Sequence, residues 1–263
     1  MLRRAWHCLG SRHRVQLIVT PDIVTQPNAG GRADVLICPA NEGLSGTRLL
    51  PYFERGGAPV LAPPAPPPGG VMWGGMEAGD RMLYAGQVID GQVHALGGAA
   101  LREACEALPP RDGDGRRCAI GEAALTCAPG ELGRHFRHIV HTATPAFRGD
   151  CHAGEQAAVG AWATALGSCY ESSLELAARC CGEPGQDEFT LAIPLLGAGA
   201  RGAPAREASE VAAGSVAAWL AGAAQTERQH RACTLQFAVQ LEETAELLEH
   251  ALSAALPRWH NRS

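Results

Sequence analysis

Between Val15 and Leu256, apolar runs of strand length alternate with amphipathic segments of helix length, and this alternation restricts the chain more than any other feature. Strand patterns occur in "VQLIVT" from Val15, "VLICPAN" from Val35, "RHFRHIVHTATP" from Arg134, "EFTLAIPLL" from Glu188 and "CTLQFAVQL" from Cys233. Runs as apolar as "VLICPAN" suit strands covered on both faces. The first helix pattern runs from about Gly91 to Leu108, with Val93, Leu96, Leu101, Cys105 and Leu108 at helical spacing and Asp90 where an N-cap belongs. Further helices are read in "AVGAWATALGSCYESSLELAARCC", "AREASEVAAGSVAAWLAG" and "EETAELLEHALSAAL". Strands separated by helices predict an α/β fold with three α/β/α layers around a mixed, mostly parallel central sheet.

Residues 45–85 break the pattern. The segment "GGAPVLAPPAPPPGGVMWGG" is too rich in proline and glycine for a long helix or a central strand. It reads as an insertion, partly polyproline II, with Tyr52, Phe53, Trp73 and Tyr84 as anchors, and is expected to be either disordered or docked on a protein partner, for which residues 1–14 are a second place. The start, "MLRRAWHCLGSRHR", carries four arginines and two histidines, and no acid precedes Asp22. A mitochondrial targeting segment and a plain basic tail both fit it. The organisation expected is an arginine-rich extension over 1–14, one domain over 15–256 and a tail over 257–263.

Composition removes several function classes. A net charge of -5 lacks the basic excess that phosphate neutralisation needs, so no nucleic-acid partner is expected. Apolar runs stop well short of a membrane span. All 22 basic residues are arginine, which excludes a P-loop lysine and a lysine Schiff base. Ten cysteines without a C-x-x-C pair indicate a reducing compartment and mostly buried thiols.

Among the motifs, "GAGARG" from Gly197 to Gly202 is literally G-x-G-x-x-G between a strand and a helix. The acid that a dinucleotide site requires about 20 residues later is missing, which argues against a nicotinamide enzyme. What remains is a turn whose backbone amides can approach an anion at a helix N-terminus, or a tight turn without a ligand. Asp90 and His94 lie four residues apart, hence on one helical face near its positive end. That suits an acid polarising water beside an imidazole, and equally a helix cap beside a core histidine. His135, His138 and His141 cannot share a metal on one strand, because alternate residues face opposite sides, and no metal site is expected. Adjacent Cys180 and Cys181 are read as one inward and one exposed thiol near a helix end.

In this order the motifs resemble the macro domain family of ADP-ribose-binding modules. "VQLIVTPDIV" is similar to the family's first strand and G-D-I-T turn; "VLICPANEGL" to V-D-A-I-V-N-A-A-N-x-x-L; "VIDGQVHALGGAALREAC" to G-V-D-G-A-I-H-R-A-A-G-P-x-L-x-x-E-C. "GEAALT", "HIVHTATP" and "LGSCYESSLELA" follow in family order, and "IPLLGAGARGAP" is similar to F-P-x-I-S-T-G-x-x-G-Y-P. The resemblance implies ADP-ribose or an ADP-ribosylated protein as ligand, no further cofactor, and cleavage of ADP-ribosyl esters in the hydrolase branch. By match, Asp22 and Ile23 would meet the adenine end, and Asn41 the distal ribose. Asp90 and His94 would support attack by water. Gly86 and Gly91 on one loop, and Gly197, Ala198, Gly199 and Gly202 on the other, would hold the diphosphate, with Arg201 of the second loop also lining the ligand cleft.

Three positions depart from that pattern: Cys38 for the first asparagine, Pro21 for the glycine before Asp22, and Arg201 for an apolar or aromatic residue. In addition, "GQVID" stands for G-G-G-V-D, so Val88 and Ile89 occupy places where a positive φ is expected. Such strain costs roughly 1 to 2 kcal/mol per β-branched residue. A second outcome is therefore also expected from the sequence, a non-catalytic macro fold kept as a structural subunit of a larger, mitochondrial assembly.

Overall fold

The computed structural model describes residues 1–8, 12–27, 32–46, 49–51, 82–84, 88–111, 113, 115–147, 155–181, 188–223, 232–256 and 259–261. Ten strands are present among them: β1 Leu2–Cys8, β2 Arg14–Val19, β3 Val35–Ala40, β4 Leu49–Pro51, β5 Met82–Tyr84, β6 Ala123–Cys127, β7 His138–Ala143, β8 Glu188–Pro194, β9 Ala232–Val239 and β10 Trp259–Asn261. Four helices accompany them: α1 Ile89–Glu106, α2 Glu155–Cys180, α3 Ala205–Ala223 and α4 Glu242–Ala255.

Eight strands form one sheet in the order β10-β1-β2-β9-β8-β3-β7-β6. The five central neighbours from β2 to β7 are parallel, while β1, β10 and β6 pair antiparallel at the edges. The side-chain period of two distributes each central strand between two cores. Val35 and Ile37 of β3 join α2, α3 and α4 in one core; Leu36, Cys38 and Ala40 join α1 in the other. β9 is buried at all eight positions, as expected for a strand covered on both faces. These are the three layers the sequence predicts.

The chain differs from expectation at both ends. Residues expected to precede the domain form β1, whose Trp6 is 2 % exposed and lies in the main core. Arg3 Nε donates to Glu249 of α4 at 2.7 Å, and the Arg4 guanidinium bonds the same carboxylate. Within the expected tail, Trp259–Asn261 pair with β1 as β10. β1 lies one strand in from the sheet edge, between β10 and β2. Of the insertion, β4 and β5 pair antiparallel with Leu49 opposite Tyr84. Residues 52–81, with Tyr52, Phe53 and Trp73, lie outside the described residues.

Helix α1 starts two residues before its expected boundary. Val88, not Asp90, is the N-cap; it is extended (φ -122) and supplies no side-chain cap. The positive-φ strain expected at Val88 is absent. Gly98, at φ 60 and ψ -147, breaks the helix into two segments at a kink. That left-handed conformation costs glycine nothing and other L-residues roughly 1 to 2 kcal/mol.

Candidate functional site

The five parallel strands release the chain at one edge of the sheet. β3 continues to α1 on one face and β8 to α3 on the other, so the sheet's topological switch point lies between them. Open α/β sheets hold their ligands at that position, outside the carboxyl ends of the strands. Asn41 leaves β3 there, the Gly197–Gly202 loop leaves β8 there, and α1 presents its first turn over β3.

Asp90 occupies the first turn of α1 and is 3 % exposed. Its carboxylate Oδ1 lies 3.8 Å from the Cys38 thiol, which donates to it, and 3.7 Å from His94 Nε2, too long for a hydrogen bond. The four-residue spacing therefore brings acid and imidazole together as expected, with the acid turned inward rather than capping the helix. Burial lowers the pKa of His94, and the field of Asp90 only partly opposes it. The imidazole is neutral beside a carboxylate. Burial also raises the Cys38 thiol well above its ordinary range, with the charge of Asp90 adding to the effect. Cys38 is thus a neutral donor to Asp90.

Asn41 is bound into its own loop. Its Oδ1 accepts from the backbone N–H and the hydroxyl of Ser45, both at 3.3 Å, and its Nδ2 donates to the Gly46 carbonyl at 3.4 Å. Gly46 lies at φ 75 directly against the His94 ring. Asp22, after β2, is likewise held locally: Oδ1 accepts the Val24 N–H at 2.8 Å and Oδ2 the Thr25 hydroxyl at 2.6 Å, while Ile23 is buried.

In the second loop, Gly197 and Gly202 adopt positive φ (84 and 74). The amides of Gly202 and Ala203 are spent inside the loop on the Gly199 and Gly197 carbonyls, at 2.9 and 3.0 Å. Gly199 is exposed, whereas Ala198 is half-buried against the main core. Arg201 reaches across the edge from β8 to β3, where Nη2 donates to the Ala40 carbonyl at 3.2 Å. Burial lowers its pKa, and Asp90 and Glu42 oppose that shift. Gly91 is buried in the first turn of α1; Gly86 lies outside the described residues.

Sequence reasoning missed one cluster. Donor atoms of His94, Cys105 and His141 all lie within 4.8 Å of one another in the interior, the one such grouping among the described residues. A straight helix would separate His94 from Cys105 by about 16 Å along its axis; the kink at Gly98 brings them together. His141 Nε2 is bonded to the Thr126 hydroxyl at 2.9 Å, burial pushes the Cys105 thiol up to about 11, and burial takes His141 down to about 3. All three are neutral, and the cluster reads as packed interior beneath Asp90. His138, on the same strand, is only partly buried, and His135 precedes the strand.

Comparison with known proteins agrees with the geometry. The sequence profile of the Macro domain matches residues 76–212. The chain is 30% identical over 178 residues to an O-acetyl-ADP-ribose deacetylase of Citrobacter koseri, covering 68% of this chain and 86% of that protein. It is 33% identical over 177 residues to a macro domain-containing protein of Vibrio parahaemolyticus, covering 67% and 86%. Its fold is similar to that of the Oceanobacillus iheyensis macrodomain solved with ADP, with a TM-score of 0.60 at 17% identity over 98% of this chain and 99% of the other. A Trypanosoma brucei macrodomain in complex with ADP gives a TM-score of 0.53 at 20% identity over 92% and 69%.

Proposed function

The chain belongs to the macro domain family, and on that footing we propose that it binds ADP-ribose along the β3–β8 edge and hydrolyses ADP-ribosyl esters there. The observation that carries the reading is the convergence of Asn41, Asp90 and His94 where β3 meets the first turn of α1. A relative named O-acetyl-ADP-ribose deacetylase supports the ester as the substrate class.

The adenine end runs toward Asp22 and Ile23 after β2, the diphosphate over Gly197–Gly202 and Gly91, and the distal ribose ends at Asn41 and Asp90. Ester cleavage needs a water deprotonated as it attacks. Asp90 is the group for that step, because it is an acceptor when ionised and general bases of this kind contribute about 10²- to 10⁴-fold. His94 is neutral and leaves the negative charge of Asp90 uncancelled. Cys38 fixes the carboxylate by one thiol hydrogen bond. Asn41 orients the ribose hydroxyls once its amide exchanges its contacts with Ser45 and Gly46 for the ligand.

The test uses the full chain and a peptide ester-linked to ADP-ribose through an acidic side chain. The wild-type protein releases ADP-ribose, whereas Asp90→Asn binds free ADP-ribose in calorimetry and releases none. Binding without turnover in the wild type would restrict the function to recognition. No binding at millimolar ADP-ribose would remove both and leave the reading as a non-catalytic subunit.

A further inference from the structure

Arg201 is the one position of the second loop whose side chain crosses the ligand edge. It leaves the β8 side, reaches the carboxyl end of β3 and bonds the Ala40 carbonyl. That contact uses one of five guanidinium N–H donors, and it is the residue's one side-chain hydrogen bond among the described residues. Arg201 is half-buried there, and a neutral carbonyl only partly offsets the desolvation of its guanidinium.

The surroundings give the charge a purpose. Asp90 and Glu42 are the carboxylates whose fields reach Arg201, and Asp22 closes the far end of the same edge. A diphosphate entering such an acidic rim is repelled unless a cation meets it. In the second loop the amides of Gly202 and Ala203 are consumed internally, so on this side of the cleft the guanidinium of Arg201 adds donors that those two amides do not supply.

Resting on the ADP-ribose reading above, we propose that Arg201 is the cleft's anion receptor: its guanidinium leaves the Ala40 carbonyl and clamps the ligand's diphosphate, making the site selective for nucleoside diphosphates over neutral nucleosides. The fork of donors matches paired phosphate oxygens, which a lone amide does not. The same move takes a positive charge away from Asp90, freeing the carboxylate as the ligand arrives.

The experiment is calorimetric titration of the full chain with ADP-ribose, ADP and adenosine over a series of salt concentrations. Wild type, Arg201→Gln and Arg201→Lys are compared. Gln keeps a donor for the Ala40 carbonyl and removes the charge; Lys keeps the charge and removes the fork. Wild type is expected to bind ADP-ribose and ADP, more weakly as salt rises. Arg201→Gln should bind both about 10- to 100-fold more weakly, with a flatter salt dependence and unchanged affinity for adenosine, and Arg201→Lys should fall between. Equal thermal midpoints for the three proteins establish that folding is intact. Wild-type binding that Arg201→Gln reproduces within about threefold, at the same salt dependence, overturns the role of Arg201 and leaves the ADP-ribose reading standing. Absence of wild-type binding overturns both.

Discussion

The Cys38 thiol and the Asp90 carboxylate lie 3.8 Å apart, both buried, where β3 runs beneath the first turn of α1. Of the contacts described for Asp90, this one orients the carboxylate from the sheet. Cys38→Val keeps the volume and removes the donor. The expected outcome is a fall in ester turnover of about tenfold, corresponding to one hydrogen bond of roughly 1 kcal/mol or slightly more. Affinity for ADP-ribose should be nearly unchanged. Steady-state kinetics beside calorimetry checks this; a loss of affinity without a loss of turnover would show that Cys38 only supports the fold.

Gly46 at φ 75 lies against the ring of His94, and a Cβ there would fall 2.7 Å from Cγ. The ring is held within the interior beneath Asp90 and has little room to give. Gly46→Ala combines positive-φ strain with overpacking, and a loss of about 2 to 4 kcal/mol in urea unfolding is expected. A change below about 0.5 kcal/mol would place the loop away from His94.

Acid should destabilise the protein through His141. Burial lowers its pKa to about 3, and the neighbouring His94 adds to the shift. A histidine depressed in the folded state contributes nothing above its unfolded value near 6.5. As pH falls through that value the unfolded chain takes up the proton first, so stability is lost progressively down to about 3. From pH 7 to pH 5 this group alone costs about 2 kcal/mol. His141→Asn should flatten that part of the stability profile, measured by urea unfolding at each pH; a variant profile parallel to the wild type would contradict the assignment.

The N-terminal strand should be needed for folding. Trp6 is 2 % exposed in the main core, and Arg3 and Arg4 tie β1 to Glu249 of α4. Trp6→Ala is expected to cost about 3 to 5 kcal/mol, and a chain begun at residue 14 should lose its cooperative unfolding transition. A truncated chain with the thermal midpoint of the full one would mean that β1 is an ornament to the sheet.

The layered fold was legible because it depends on periodicity. β3 and β8 read as buried strands from their continuous apolar runs, β9 as a further strand, and α4 as a closing helix. Asp90 and His94 were legible as a pair because four residues place two side chains on one helical face whatever the fold. Other features depend on contacts that spacing does not encode. The kink at Gly98 joins His94 to Cys105 across eleven residues, although a helix at that spacing would keep them apart. β10 is an edge strand of three residues and β1, paired between β10 and β2, carries two adjacent arginines, so only their partners reveal them. The inward turn of Asp90 follows from the helix starting at Ile89 rather than at Gly91.

The most direct measurement is calorimetric titration of the full wild-type chain with ADP-ribose near neutral pH. The account predicts saturable one-to-one binding, with Arg201→Gln weaker and Asp90→Asn retained. An absence of heat at millimolar ADP-ribose, with the protein folded, would contradict it.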